Sequence, residues 1–146
     1  MDTKALYKIS YGLYVVGSAD KEAGLLNAQI ANSVIQVSSE PPTILVSINK
    51  KNFTHELITK SKAFSVSVLA QETPLNFVGA LGFKSGKDAN KLKGIDYGIA
   101  VTGAPVVYEN AVATFEAKVI SQADAGTHTL FIGELVAAEV LRQDEP

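Results

Sequence analysis

The chain has 146 residues, 47% of them apolar and 19% charged, with a formal net charge of −2 and no cysteine. This length and composition suit one globular domain that folds without metal or disulfide staples. The weakly acidic balance argues against a nucleic-acid partner, and the lack of cysteine excludes disulfides, thiolate nucleophiles and thiolate metal sites.

Tyr11 to Val16 (YGLYVV) is aromatic and β-branched, which predicts a strand, and SADKEAG after it supplies turn residues for a hairpin. The N-terminus, MDTKALYKISYGLYVV, carries Asp2 and lysines within its apolar pattern, unlike a secretory signal, and no apolar run reaches membrane-spanning length. A cytoplasmic protein that does not enter a membrane is therefore expected. Leu25 to Ser38 continues with polar Asn27, Gln29, Asn32, Ser33 and Gln36 threaded through apolar positions, as in strands with one face lining a polar site. Pro41-Pro42 is a break, and Thr43 to Ile48 (TILVSI) is a short, mostly buried strand.

After SINKKNFT (residues 47–54) comes HELITKSK, a short helix beginning near Asn52 to Thr54, with Glu56 early and Lys60 and Lys62 late to match the helix dipole. Ala63 to Leu69 (AFSVSVL) alternates strictly, with Phe64, Val66 and Val68 on one face and Ser65 and Ser67 on the other. Thr73-Pro74 reads as an N-cap and first helical residue, opening a helix through about Leu81. Phe83 to Lys93 is a polar loop. Tyr97 to Leu141 is almost all strand, with turns at Gly103-Ala104-Pro105, Glu109-Asn110 and Asp124-Ala125-Gly126. Thr114, Glu116 and Lys118 alternate with Ala113, Phe115, Ala117 and Val119, which predicts one wet face. Many short strands and two brief helices point to a mainly β fold, a closed or nearly closed antiparallel barrel.

Two stretches carry candidate chemistry. SINKKNFT offers what a phosphate needs without a metal: helix-start amides, lysines and hydroxyls. An N-capped helix after a solvated turn is the alternative, and on the motif alone it is preferred. Asn27 to Ser33 carries amides that could address a ring with donor and acceptor edges, or simply a polar face that meets water. Ser85-Gly86-Lys87 is not a P-loop, because the first glycine falls on Leu81 and the Ser or Thr on Asp88. No dinucleotide glycine triplet and no nucleophile elbow is present. Two histidines in unrelated contexts make a histidine metal site unexpected, and the acids Asp88, Asp96 and Glu109 read as solvated charges.

Taken together, LLNAQIANSVIQVSSEPPTILVSINKKNFTHELI (25–58), AFSVSVL (63–69), FKSGKDANKL (83–92) and GTHTLFIGEL (126–135) resemble the flavin reductase-like family of FMN-binding split barrels, in the right order over nearly the whole chain. The likeness is to small NADH:flavin reductases and flavoredoxins, including versions fused to a C-terminal rubredoxin domain, which here would lie beyond Pro146. Residues 1–146 would then be one such FMN-binding domain. The resemblance implies a split β-barrel of Greek-key type that forms a homodimer with one FMN per subunit. It implies hydride transfer from NADH or NADPH to the flavin and electrons onward to free flavin, rubredoxin or another acceptor. The alternative is a non-enzymatic FMN carrier or electron-transfer protein.

By the same resemblance, Asn27, Ala28, Gln29, Ala31, Asn32 and Ser33 would run beside the isoalloxazine and ribityl chain. Ser47, Ile48, Asn49, Lys50 and Thr54 would surround the phosphate, and Phe83, Ser85 and Gly86 belong to the loop that closes over the cofactor. His128 matches the catalytic histidine near the nicotinamide and flavin rings, orienting them rather than transferring a proton. The sequence departs at Asn90, where the family commonly has an acid before the lysine, so Lys91 has no acidic neighbour at that position.

Overall fold

A computed structural model describes residues 1–146. Its elements are a 3-10 helix at Thr3–Lys8, then β1 (Tyr14–Asp20), β2 (Leu25–Ala31), β3 (Val34–Ser39), β4 (Pro42–Asn49), α1 (Phe53–Ser61), β5 (Ala63–Leu69), α2 (Leu75–Gly82), β6 (Tyr97–Ile99), β7 (Pro105–Val107), β8 (Ala111–Ala125) and β9 (His128–Val140). Seven strands form one antiparallel sheet in the order β2-β1-β5-β8-β9-β4-β3, and β6 and β7 form a separate hairpin.

That order dictates the shape. β2 and β3 lie at opposite edges of the sheet, which if flat would stand six spacings of about 4.8 Å apart, on the order of 29 Å. Only Asn32 and Ser33 join them, and three Cα steps of about 3.8 Å reach at most about 11 Å. The sheet must therefore curl until its edges nearly meet, which gives the predicted barrel. Ser47 N–H, donating to the Ser33 carbonyl at 3.1 Å, fastens that corner to β4.

Two apolar clusters divide the alternate residues of the strands. Val16, Val46, Ile48, Phe64, Val66, Ala117 and Phe131 fill the barrel, and Ile58 of α1 enters the same cluster. Val15, Ala28, Leu69 and Val107 pack outside it against Phe77 and Leu81 of α2 and against Leu92. Neighbours such as Val15 and Val16 thus serve different cores, so β1 is buried on both faces. At Gly133, a Cβ would sit 2.7 Å from the Ala117 Cβ and 2.8 Å from the Phe64 ring, so β9 needs glycine to cross there.

Two expectations change, and the serine face of β5, which the alternation leaves unassigned, turns out buried. The serine face of β5 is dry: Ser65 and Ser67 are each 1% exposed, because the β6–β7 segment lies over it and the Pro105 carbonyl accepts from Ser65 Oγ at 2.5 Å. The same cover buries Thr114 and Glu116 and leaves only Lys118 of the expected wet face exposed. Glu116 is satisfied by the loop above it, its carboxylate accepting from Val101 N (3.2 Å), Thr102 N (2.9 Å) and Thr102 Oγ1 (2.7 Å). Finally, α2 begins at Leu75 with Pro74 as cap, since the Thr73 hydroxyl is taken by the Ala70 carbonyl at 2.6 Å.

Candidate functional site

The passage from β4 into α1 is built by one side chain. Asn49 Oδ1 accepts from Lys51 N at 2.9 Å and its carbonyl accepts from Asn52 N at 3.0 Å, a local Asx turn that redirects the chain into the helix. Asn52 then stands at the N-cap without capping the helix through its side chain. Its amide donates instead to Gln29 Oε1 at 3.2 Å. His55 N donates to the Asn52 carbonyl at 3.1 Å, so the amides of Phe53 and Thr54, with the positive end of the helix dipole, are the ones left without a partner in the chain.

Beside this helix start, β2 presents Asn27 and Gln29, two residues apart and so on one face. Asn27 is 3% exposed and donates to Thr54 Oγ1 at 2.8 Å. The loop after α2 lies directly on it. A Cβ at Gly86 would come within 2.0 Å of Asn27 Oδ1, so only glycine permits this approach. The loop is tied to α1 by the Lys87–Glu56 ion pair and turned by Ser85, whose Oγ accepts from Lys87 N at 3.2 Å.

These parts enclose a cleft of about 250 Å³ between the α1 start and the loop. Asn27, Gln29, Asn52 and Ser85 give it a polar wall, Phe53 and Phe83 an aromatic one, and Lys51, Lys84 and Lys91 line it with no acidic residue among them. Lys91 donates to the Leu81 carbonyl at 2.8 Å, and burial pulls its ammonium down to a pKa of about 8. Three lysines, the amides of Phe53 and Thr54 and the lack of a carboxylate suit the cleft chemically to an anion, with side-chain amides beside it able to address a polar ring system.

Of the residues expected from sequence, Asn27, Gln29, Phe83, Ser85 and Gly86 come together here, and Thr54 supports Asn27 from behind. The structure does not bring the others to the cleft. Ala28 lies in the outer core, and Ala31 and Ile48 in the barrel core. Asn32 and Ser33 bond to each other at 3.0 Å at the β2–β3 corner, where Ser47 joins them through its backbone. Lys50 pairs with Asp124 at 2.8 Å, which holds the Asp124 carboxyl below the usual range, and its amide donates to the Thr127 carbonyl. His128 is paired in register with Asn49, half-buried, with Nδ1 2.8 Å from Thr127 Oγ1.

Lys51 and Asn52 belong to the SINKKNFT stretch offered for a phosphate, but the resemblance points to Lys50 and Thr54 instead; Lys84 is not singled out, and Lys91 only for its missing acidic neighbour. The signal for the last was Asn90 itself, which leaves a lysine without an acid beside it. The other histidine, His55, is an anchor of α1: Nε2 lies 2.8 Å from Thr129 Oγ1 and the ring centroid 5.3 Å from that of Phe131. Burial, with a further push from the Lys50 charge, lowers its pKa.

The family model for the flavin reductase like domain matches residues 6–146. The chain is 50% identical over 145 residues to a ferric-chelate reductase (NAD(P)H) of Archaeoglobus fulgidus, covering 99% of this chain and 85% of that protein. It is 47% identical over 146 residues to a high molecular weight rubredoxin of Moorella thermoacetica, and spans 63% of that protein's length while the match covers 100% of this chain. Among solved structures, an FMN-binding protein from Thermus thermophilus superimposes with a TM-score of 0.82 at 31% identity, over 92% of this chain and 75% of its own. The NADH:FAD oxidoreductase SgcE6 of Streptomyces globisporus gives 0.83 at 25% identity, over 93% and 79%.

Proposed function

The chain belongs to the flavin reductase-like family, and on that premise we propose that it is an FMN-binding oxidoreductase taking hydride from NADH or NADPH and passing electrons to an acceptor. The observation that carries this reading is the cleft at the start of α1, with three lysines, no acid and a buried amide wall. A flavin mononucleotide combines a phosphate dianion with a ring edged by donors and acceptors, and both needs are met there.

In this reading Lys51, Lys84 and the first amides of α1 hold the phosphate. Asn52 and Gln29, already bonded to each other, present the amide wall to the polyol and ring. Asn27 is spent on Thr54 and fixes where β2 stands relative to α1. The exposed Phe83 ring covers the cofactor and excludes water from it. When bound, the flavin supplies the hydride-accepting and electron-donating chemistry, so the protein's task is placement. His128 stands at the start of β9, paired in register with Asn49 and outside the cleft lining, so this reading gives it no contact with the bound ring.

The partners belong to the same proposal. Ile35 and Val37 are exposed on the edge strand β3, as are Leu6, Tyr7, Ile9, Tyr11 and Leu13 near the N-terminus. So much apolar surface is consistent with a homodimer that covers it. The acceptor is a flavin or a small redox protein, as the name of the rubredoxin relative suggests. No helix is long and apolar enough to cross a membrane.

The test is the absorption spectrum of the purified protein with FMN added, followed anaerobically by each nicotinamide nucleotide. Bleaching of the bound flavin by NADH or NADPH is expected. Bound flavin that neither nucleotide reduces would reduce the protein to a carrier, and no bound flavin would end the reading.

A further inference from the structure

We propose that Lys91 is the residue by which the cleft tells a phosphorylated flavin from an unphosphorylated one, its ammonium bridging the Leu81 carbonyl and the ligand's phosphate. The inference rests on the FMN reading and deepens it. Leu81 lies in the last turn of α2, where carbonyls lack intrahelical donors and the dipole is negative. Lys91 reaches back across ten residues to that carbonyl and so closes the base of the excursion that carries Phe83 to Gly86 over the cleft.

An ammonium has three protons to donate, and a neutral carbonyl is the single hydrogen-bond acceptor Lys91 has. No carboxylate lines the cleft. The neighbouring Asn90 is turned back on the chain, its Oδ1 accepting from Leu92 N at 3.2 Å. Lys91 is thus a half-buried cation whose counter-charge is missing from the chain and whose remaining donors open into a site shaped for an anion. The other lysines near the loop differ. Lys87 is matched by Glu56, and Lys51 and Lys84 are exposed, where water serves them.

A consequence in pH follows. Burial already brings the ammonium to a pKa of about 8, and a bound dianion would raise it again, so that binding takes up a proton on the alkaline side. The other charges around Lys91 are Lys51 at the α1 turn, Lys84 and Lys87 in the loop, Glu56 on α1, and Asp88 and Lys93 on either side of it in the chain. Arginine at position 91 keeps all of these while removing the titration of the residue itself.

The experiment is a pair of fluorescence titrations, with FMN and with riboflavin, of wild type, Lys91→Met and Lys91→Arg from about pH 7 to about pH 9.5, where the phosphate is already a dianion. Wild type should prefer FMN, with the preference falling as pH rises past 8, at most about tenfold per pH unit. Lys91→Met should lose about 10- to 100-fold of the FMN affinity at neutral pH while its riboflavin affinity stays put, and Lys91→Arg should keep the preference with a flat profile. A preference for FMN that Lys91→Met leaves intact, or a slope that survives in Lys91→Arg, would overturn the role of Lys91 while leaving the cofactor reading standing. Absence of binding by either flavin to wild type would overturn both.

Discussion

Glycine at position 86 is the narrowest constraint on the site, and replacing it with alanine should separate cleft geometry from stability. The added methyl would sit 2.0 Å from Oδ1 and 2.4 Å from Cγ of Asn27, so one of the two must move. If Asn27 rotates, it breaks its bond to Thr54 and leaves a donor and an acceptor unpaired in a region where Thr54 is 0% exposed, at a cost of about 1 to 3 kcal/mol. If the loop lifts, it strains the exposed Lys87–Glu56 pair, a kind of contact worth under about 1 kcal/mol. The loop should therefore yield. Gly86→Ala should unfold within about 1 kcal/mol of wild type in urea yet bind FMN more weakly, because Lys84 and Ser85 withdraw with the loop. Asn27→Ala removes the obstacle, so in that background Gly86→Ala should have no further effect on FMN affinity. Wild-type FMN affinity in Gly86→Ala, or the same loss in both backgrounds, would refute the argument.

Glu116→Gln should lower stability by about 1.5 to 3 kcal/mol in urea unfolding, because an amide can accept through one oxygen only and turns an NH₂ toward the donors of residues 101 and 102; an unchanged midpoint would show that the loop is held otherwise. Ser67 Oγ is buried without a partner, so Ser67→Ala should be neutral or stabilising, whereas Ser65→Ala loses the bond to Pro105 and should cost about 1 kcal/mol. Thermal unfolding of the two variants should give opposite or clearly unequal shifts. The lowered pKa of His55 means that the unfolded chain takes up a proton more readily than the folded one. Its contribution is complete above the ordinary imidazole value of about 6.5 and is lost as pH falls through that value toward the lower folded one. The melting temperature should decline across that window, and His55→Gln should flatten the decline.

The barrel was legible because alternation along Ala63 to Leu69 and the run after Tyr97 leave few other folds. What the alternation cannot show is whether the second face meets water. Ser65, Ser67, Thr114 and Glu116 have the letters of a solvated surface and are nonetheless buried, since the cover is a segment from elsewhere in the chain. Glu116 shares its strand face with the cation Lys118, so nothing beside it in the sequence marks it as buried. Its partners are backbone amides of residues 101 and 102, which have no signature in sequence.

The same limit acts at the site, one residue at a time. Lys50 and Lys51 are indistinguishable in SINKKNFT, and either could address an anion. Asn49 decides between them. By accepting from Lys51 N it folds the chain so that Lys50 still follows the β4–β9 ladder toward Asp124, while Lys51 turns with Asn52 into the cleft. A residue's place in a turn thus depends on the side chain before it, and that dependence is physical and local. It could be read from the asparagine that ends the strand, four residues ahead of the first helical residue, Phe53. Lys84 and Lys91 are harder, because they become neighbours of Lys51 only when α2 and its loop fold over β2. The cleft is therefore assembled by topology from three lysines that no spacing relates, none of them in an ion pair, and Lys91 differs from the other two in being half-buried.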